Sequence, residues 1–199
     1  MTRQMCLALA GTLALTASAR AAIDSGTAGP GDTFLQISPP TNVGNNNQNT
    51  NDTLFAFDEK QKQVLTSGLT LDLPAATSPT VLPAGTIISS HYVFVDPSGS
   101  RNNVVGTVTF DNPILGIIFE DINLDASNFL GAIGTTYASP SLLGLEGGDL
   151  VAISGTNTVS IDFTAGSPGD YIRVITEDIP EPATASLLAL GLLSMSRRR

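Results

Sequence analysis

Between residues 22 and 182, apolar and polar residues alternate over short stretches that are separated by turn-forming residues. Residues 104–110 show this period of two, with Val104, Val108 and Phe110 on one face of the predicted strand. Threonine, serine, valine, isoleucine, glycine and asparagine dominate, and no stretch keeps a helical period for three turns. The pattern therefore predicts an all-β body.

The pattern predicts nine strands, which cover residues 34–37, 53–57, 63–73, 86–95, 104–110, 115–119, 150–154, 158–163 and 171–176. Prolines, glycines and Asp-Pro or Asn-Pro pairs stand between most of them and predict turns. Residues 126–139 fit no strand pattern and are predicted to form a helical turn or an irregular loop. The polar, asparagine-rich residues 41–52 are predicted to form a surface loop, and residues 177–181 an unstructured linker before the C-terminal features.

The segment around His91 is apolar on both faces of its predicted strand. His91, Val93 and Val95 share one face, whereas Tyr92 and Phe94 share the other. A strand with two apolar faces is expected at the centre of a two-layer packing. Together with the hairpin-scale spacing of the other strands, this feature predicts an antiparallel β-sandwich, jelly-roll-like in topology.

The N-terminal residues have the pattern of a secretory signal peptide. Arg3 provides a basic start, residues 5–17 form an apolar run, and Ala19 and Ala21 are the small residues that signal peptidase requires. Cleavage is predicted before Ala22. The alternative, a buried N-terminal helix, is less consistent with so short and alanine-rich a run.

The C-terminal residues combine an acidic proline motif, an uncharged apolar stretch and a basic end. In chain order these are Pro180-Glu181-Pro182, residues 183–196 and Arg197-Arg198-Arg199. The arginines favour the cytoplasmic side of a membrane, so the apolar stretch is predicted to be a short transmembrane helix with the body outside the cytoplasm. Fourteen residues at helical rise span roughly 21 Å of the roughly 30 Å hydrocarbon layer, which makes this a marginal anchor.

The domain organisation follows from these two ends. Residues 1–21 are predicted to be the signal peptide, residues 22–178 the β-sandwich domain, and residues 179–199 a sorting signal with its helix and basic tail. The single cysteine, Cys6, lies within the predicted signal peptide. The mature body would therefore have no disulfide, thiol nucleophile or thiolate metal site, and its core must stabilise it.

The charge of the body restricts its partners. Residues 22–182 contain four basic residues against all eighteen acidic ones, a net charge of −14. Such a surface repels phosphate backbones and anionic lipids. Nucleic-acid binding and peripheral membrane attachment are therefore not expected, whereas weak association with divalent cations is compatible with the charge.

The three C-terminal features, taken with the signal peptide, resemble the PEP-CTERM sorting signal of exported proteins in Gram-negative bacteria. The resemblance implies processing by an exosortase, a transpeptidase-like membrane enzyme, followed by surface display or release, often in association with exopolysaccharide. It implies no activity for the body. Two prolines around Glu181 keep the motif extended, which suits a processing enzyme. The alternative is a proline-rich hinge before a plain membrane anchor.

One segment of the body has the spacing of a calcium loop. Asp121, Asn123 and Asp125 place oxygen ligands two residues apart, but alanine replaces the expected glycine at the sixth position and Ala132 replaces the expected bidentate glutamate. Weak calcium binding and a solvated turn with side-chain caps both remain compatible with this sequence.

No other motif predicts catalysis. His91 is the only histidine, no Gly-x-Ser-x-Gly motif is present, and the carboxylates show no pattern that selects a pair. His91 is predicted to be a strand residue with a satisfied hydrogen bond. Sugar stacking would have to use Tyr92, Tyr137 or Tyr171, because the chain has no tryptophan.

These observations predict a non-enzymatic protein without a cofactor, exported by signal peptidase and processed by an exosortase-type enzyme. An intermediate anchored in the inner membrane would precede its release to the cell surface or extracellular matrix, where a structural or adhesive role associated with exopolysaccharide is expected. A secreted carbohydrate-binding module is the alternative, with an extracellular hydrolase behind it.

Overall fold

The alternation of apolar and polar residues is reproduced as alternating burial in the computed structural model, which describes residues 22–44, 47–99, 102–137 and 144–178. In residues 104–110, Val104, Val108 and Phe110 are buried, whereas Val105 is exposed. The predicted signal peptide (1–21) and the predicted sorting signal (179–199) lie outside the described residues.

Fifteen strands are described in this part of the chain. They are β1 (Ile23–Ala28), β2 (Thr33–Gln36), β3 (Asn42–Val43), β4 (Thr53–Asp58), β5 (Gln63–Val64), β6 (Leu69–Thr70), β7 (Leu73–Pro74), β8 (Val81–Leu82), β9 (Ile87–Val95), β10 (Asn102–Phe110), β11 (Ile114–Ile118), β12 (Thr136–Tyr137), β13 (Leu150–Ser154), β14 (Thr158–Ala165) and β15 (Asp170–Glu177). A short helix, α1 (Asp121–Ala126), and a 3₁₀ turn (Asn128–Leu130) lie between β11 and β12.

Eight of the nine predicted strands are confirmed to within two residues at each end: β2, β4, β9, β10, β11, β13, β14 and β15. The long strand predicted over residues 63–73 is wrong, since this segment contains β5, β6 and the start of β7. Strand β1 was not predicted, because Ser25 and Gly26 interrupt its apolar pattern. The helical turn expected within residues 126–139 is present at Asn128–Leu130, but α1 precedes it.

The strands form two main sheets in an all-β, sandwich-like arrangement. The smaller sheet has the order β1-β10-β14-β13, and all its neighbours are antiparallel. The larger sheet has the order β2-β4-β9-β15-β11-β7, and β5 also pairs with β9. Because β2 and β4 are parallel, the larger sheet is mixed and not purely antiparallel as predicted. Two small ribbons, β3 with β12 and β6 with β8, complete the strand pairing.

Several short connections between long strands cross from one sheet to the other. Strand β9 belongs to the larger sheet, β10 to the smaller one and β11 to the larger one again, and a short turn separates β10 from β11. The neighbours within each sheet are therefore mostly distant in sequence, as in the pairs β9 with β15 and β10 with β14. Hairpin spacing alone did not predict this arrangement.

Two apolar cores lie on opposite faces of the larger sheet. The first core fills the space between the two sheets and includes Leu54, Val93, Val108, Phe163 and Val174. The second lies between the outer face of the larger sheet and a cover of small ribbons, α1 and the 3₁₀ turn. Strand β9 contributes to both cores, which confirms its predicted central position.

The second core is rich in aromatic rings. Phe55 stacks on Phe94 with their ring centroids 5.2 Å apart, and Phe94 stacks in turn on Tyr171 at 5.6 Å. Leu124 from α1 and Leu130 from the 3₁₀ turn are fully buried against this layer. Each large apolar side chain buried in this way contributes roughly 1.5–3 kcal/mol. The cover is therefore an integral part of the fold.

Within the described ranges, no helix combines the length and the apolar character needed to cross a membrane.

Candidate functional site

The two ends of the described fold meet at the turn between β10 and β11. The backbone N–H of Ala22 donates to Oδ1 of Asp111 at 2.7 Å, and the N–H of Asp111 donates back to the carbonyl of Ala22 at 3.1 Å. Two residues further along the turn, the carbonyl of Pro113 accepts from the N–H of Glu177 at 2.8 Å. We call this region, formed by Ala22, Asp111, Pro113 and Glu177, the terminal junction.

A buried histidine connects the same two ends from inside the sandwich. His91 Nδ1 lies 2.7 Å from Oδ1 of Asp58, which also accepts from the N–H of Ile23 at 3.1 Å. On the other side of the ring, Nε2 lies 3.0 Å from the hydroxyl of Thr176. Since a carboxylate only accepts, Nδ1 donates to Asp58, and Nε2 pairs with the hydroxyl of Thr176.

The predicted hydrogen-bonded role of His91 is therefore confirmed. The ring is fully buried, and it packs against Phe110 with a centroid distance of 4.8 Å. Its partners belong to β4 and β15, and Asp58 in turn binds Ile23 at the start of β1, so the ring and Asp58 together connect the first and last strands described. A buried polar group with both of its nitrogens paired stabilises this arrangement.

The last strand is fixed up to the limit of the described residues. Glu177 ends β15, and Asp178 is 4% exposed, with a carboxylate that accepts from the hydroxyl of Ser89 at 2.8 Å. The sequence had predicted an unstructured linker over residues 177–181. For its first two residues that prediction is wrong, because strand pairing and this buried hydrogen bond continue through them.

A second polar cluster is buried under the cover of the larger sheet. Glu59 and Arg173 are joined by two hydrogen bonds, from Nε to Oε2 at 2.7 Å and from Nη2 to Oε1 at 2.9 Å. Ser90 and Tyr137 also donate to the carboxylate of Glu59. This carboxylate therefore accepts four hydrogen bonds in a site that excludes water.

The remaining donors of Arg173 bind the cover. Nη1 donates to the carbonyl of Leu124 at 3.0 Å and to the hydroxyl of Ser127 at 2.6 Å, and Nη2 also donates to Oδ1 of Asn128 at 3.3 Å. With the two bonds to Glu59, all five N–H groups of the guanidinium have an acceptor. The cluster thereby attaches α1 and the 3₁₀ turn to β15.

Two tyrosines complete the surroundings of the guanidinium. The rings of Tyr92 and Tyr137 each lie 5.2 Å from the carbon of the Arg173 guanidinium, which is cation–π distance. Burial raises the pKa of both phenols above the usual range, and the charge of Glu59 raises them further. Burial alone would lower the pKa of Arg173, but the charge of Glu59 and its hydrogen bonds outweigh that effect and raise it.

The strand pattern did not predict this cluster, although the sequence contains one sign of it. Arg173 stands alone within the apolar stretch of β15, and an arginine in a buried strand requires an acidic partner. The partner lies 114 positions away in the chain, at the end of β4, so sequence spacing gave no indication of Glu59.

The predicted calcium residues lie on a helix and not in a loop. Asp121 and Asp125 are four positions apart in α1 and share one of its faces, and Asp125 accepts from the side chain of Asn128 at 3.2 Å. Asn123 points elsewhere, where its amide donates to Asp72. Burial, followed by the charge of Glu120, raises the pKa of Asp121. The structure thus brings two of the three predicted ligands to one face, and calcium binding stays a prediction.

In the described segments as a whole, no group of three or more histidine, cysteine, aspartate or glutamate side chains is arranged to hold a metal ion. The described surface includes several grooves. One, of about 510 Å³, lies between Lys60, Lys62 and the almost fully exposed Ile133. Another, of about 550 Å³, is mainly apolar and is lined by Leu73, Val151 and their neighbours.

The tyrosines considered for sugar stacking are not free to stack on a ligand. Tyr92 and Tyr171 are buried, and Tyr137 is half-buried with its hydroxyl bound to Glu59 and its ring against Arg173. The described surface therefore lacks the stacking tyrosines that a carbohydrate-binding module would have to use.

The residues predicted to direct processing lie outside the described residues. They are Ala19 and Ala21 for signal cleavage, and Pro180, Glu181, Pro182, Arg197, Arg198 and Arg199 for sorting. The structure shows the attachment points on either side, at Ala22 and Asp178.

No protein-family model matches this chain, and comparison with curated proteins and with solved structures found no significant similarity.

Proposed function

We propose that this chain is an exported protein that is sorted and processed at Pro180-Glu181-Pro182. It then acts, without enzymatic activity or a cofactor, at the cell surface or in the extracellular matrix. Its proposed role there is structural or adhesive, in association with exopolysaccharide. The observation that carries the proposal is the combination of an N-terminal signal sequence with the Pro-Glu-Pro, apolar and arginine features of the C-terminus.

The described body is compatible with a role outside the cell. The mature sequence has no cysteine, so disulfides do not stabilise it. Instead, two apolar cores share the larger sheet, and the buried pair of Glu59 and Arg173 has its hydrogen-bonding groups satisfied. Such a body would fold without disulfide bonds.

The terminal junction also supports the proposal. Ala22 and Glu177 are both bound to the turn between β10 and β11, so the two processing steps would act on chain segments that emerge from one end of the body. The crossing connections between the sheets support a jelly-roll-like topology as part of the same proposal.

The test is the intact mass of the protein recovered from its native host, measured for the wild type and two matched variants. We expect the wild type to begin at Ala22 and to end near Glu181. Glu181→Gln, within the motif, should retain the C-terminal tail, whereas Glu177→Gln, an exposed glutamate four residues earlier, should be processed like the wild type. A wild-type mass that includes Arg199 would reject the sorting step.

A further inference from the structure

We propose that removal of the signal peptide creates a specific ion pair, in which the α-ammonium group of Ala22 binds the carboxylate of Asp111. This inference rests on the proposed function, since it requires export and cleavage between Ala21 and Ala22. It goes beyond that function because it assigns the new N-terminus a defined place in the fold.

The geometry of the terminal junction carries the proposal. The nitrogen of Ala22 already lies 2.7 Å from Oδ1 of Asp111, a distance that also suits a hydrogen bond from an ammonium group to a carboxylate. The reciprocal bond from the N–H of Asp111 to the carbonyl of Ala22 fixes the residue in this position. The carboxylate therefore faces the atom that cleavage would convert into an amine.

The neighbouring residue is held in the same way. The N–H of Ile23 donates to Asp58 at 3.1 Å, and Ile23 pairs with Phe110 at the end of β10. Asp111 from the turn binds the nitrogen of Ala22, and Asp58 from β4 binds that of Ile23, with His91 bound to Asp58 behind it. Asp24 follows on β1, and the backbone of Glu177 lies at the same junction. The acidic groups at this junction favour a protonated amine.

The chemistry of the cleavage explains the change in charge. Signal peptidase adds water across the peptide bond between Ala21 and Ala22, which leaves a carboxylate on Ala21 and an amine on Ala22. The amine takes up a proton at neutral pH, because the pKa of an α-amino group is ordinarily about 7.7–8.0. One neutral N–H donor becomes an ammonium group with three, so cleavage strengthens the attachment of β1 to the body.

The position of the cleavage matters for this pairing. A chain that began at Ile23 would place its ammonium group beside Asp58, and one that began at Ala21 would leave Ala22 as an ordinary amide. The ion pair with Asp111 is therefore specific to cleavage before Ala22.

The reactivity of the amine tests the proposal. Protein exported from the native host would be treated at pH 7 with a water-soluble acylating ester, and acylation of the N-terminal peptide would be followed by mass spectrometry. Only the unprotonated amine reacts, and Lys60 and Lys62 provide internal references. Asp111→Asn keeps the shape and the acceptor oxygen but removes the charge, and Asp24→Asn removes an exposed charge nearby on β1.

We expect Ala22 to react about threefold more slowly in the wild type and in Asp24→Asn than in Asp111→Asn, which is the size of effect that an exposed ion pair allows. In the wild type, 1 M salt should raise the rate at Ala22 part of the way towards that of Asp111→Asn, because high salt weakens exposed ion pairs. The salt experiment uses only the wild type, so it tests the ion pair even if Asp111→Asn does not fold.

Equal rates in the wild type and Asp111→Asn, or a wild-type rate that salt does not change, would overturn the ion pair. So would an N-terminus other than Ala22. Recovery of the chain with residues 1–21 still attached would instead reject export itself. The mass of the C-terminal peptide reports on sorting separately, so failure of the ion pair and failure of the proposed function are distinguishable.

Discussion

Glu59 and Arg173 form a bidentate ion pair beneath the cover of the larger sheet, and neither side chain is exposed to solvent. Because the remaining donors of the guanidinium bind Leu124, Ser127 and Asn128, this pair joins three segments that are far apart in sequence. A buried pair of this kind contributes more to the specificity of an arrangement than to its net stability.

Removal of one partner should therefore be strongly destabilising. Glu59→Gln leaves the charge of Arg173 buried without a counter-ion, and we expect a loss of about 3–5 kcal/mol in the free energy of unfolding. Urea denaturation followed by circular dichroism measures it. The double variant Glu59→Leu with Arg173→Met should recover most of this loss, and Glu177→Gln serves as an exposed control. A single-variant loss below about 1 kcal/mol would contradict this account of the pair.

Stability should fall at high pH because of two tyrosines. The pKa values of Tyr92 and Tyr137 are raised in the folded state, so their stabilising contribution is complete below the unfolded pKa of about 10. It is lost as the pH rises above that value, since the unfolded chain releases protons that the folded chain retains. Each phenol should lower stability by about 1.4 kcal/mol per pH unit in that range.

Absorbance at alkaline pH provides the measurement for this second prediction. We expect phenolate absorption from these two rings to appear together with the loss of the circular dichroism signal. Tyr137→Phe should reduce the pH dependence by about half, because one of the two phenols is removed. Full ionisation of both rings in a folded chain would show that the phenols are more accessible than the structure indicates.

Substitution of His91 should loosen both ends of the fold. His91→Ala leaves Asp58 and Thr176 without their partner and opens a cavity beside Phe110, so we expect a loss of about 2–4 kcal/mol. Hydrogen exchange should accelerate at the amide of Ile23, whose acceptor is Asp58.

Thr176→Val provides the matched control for His91, since it removes only the hydrogen bond to Nε2. It should cost about 1 kcal/mol and leave the exchange of Ile23 nearly unchanged. Equal effects of the two substitutions on Ile23 would show that the histidine does not act through Asp58.

Gly106 lies close both to β1 of its own sheet and to Leu54 of the larger sheet, so it should not tolerate a methyl group. A Cβ at this position would lie 2.5 Å from the carbonyl oxygen of Thr27 and 2.8 Å from a methyl of Leu54. We expect Gly106→Ala to destabilise the fold by about 1–3 kcal/mol. Gly147→Ala is the control, because a Cβ there meets nothing within 4 Å. Thermal unfolding compares the two variants, and similar midpoints would contradict the predicted clash.

Sequence pattern predicted the long strands well but failed in the cover. Strands β9 and β10 were recognised because their side chains alternate in polarity or are apolar throughout. Residues 63–73 were predicted as one strand because they are rich in β-forming residues. The chain instead bends at Thr66 and Ser67, since it must cover the aromatic outer face of the larger sheet.

The candidate site was likewise predicted only in part. The predicted start of the mature chain at Ala22 came from local sequence, because signal peptides are recognised by a local pattern. The position of Ala22 against Asp111, 89 residues away, could not be predicted, since no short-range pattern encodes the pairing of two strands so far apart in the chain. The same applies to the acidic partner of Arg173.

By itself, the sequence determined that the body is built of β-strands, where most of them lie and that it has no cysteine after Cys6. These properties depend on local polarity, turn residues and composition. Only the tertiary structure decided which strands are neighbours, that the larger sheet is buried on both faces, and that the two ends of the fold meet at one turn. The physical reason is that strand pairing and buried charge depend on contacts between residues far apart in the chain, and a single sequence records the residues but not their partners.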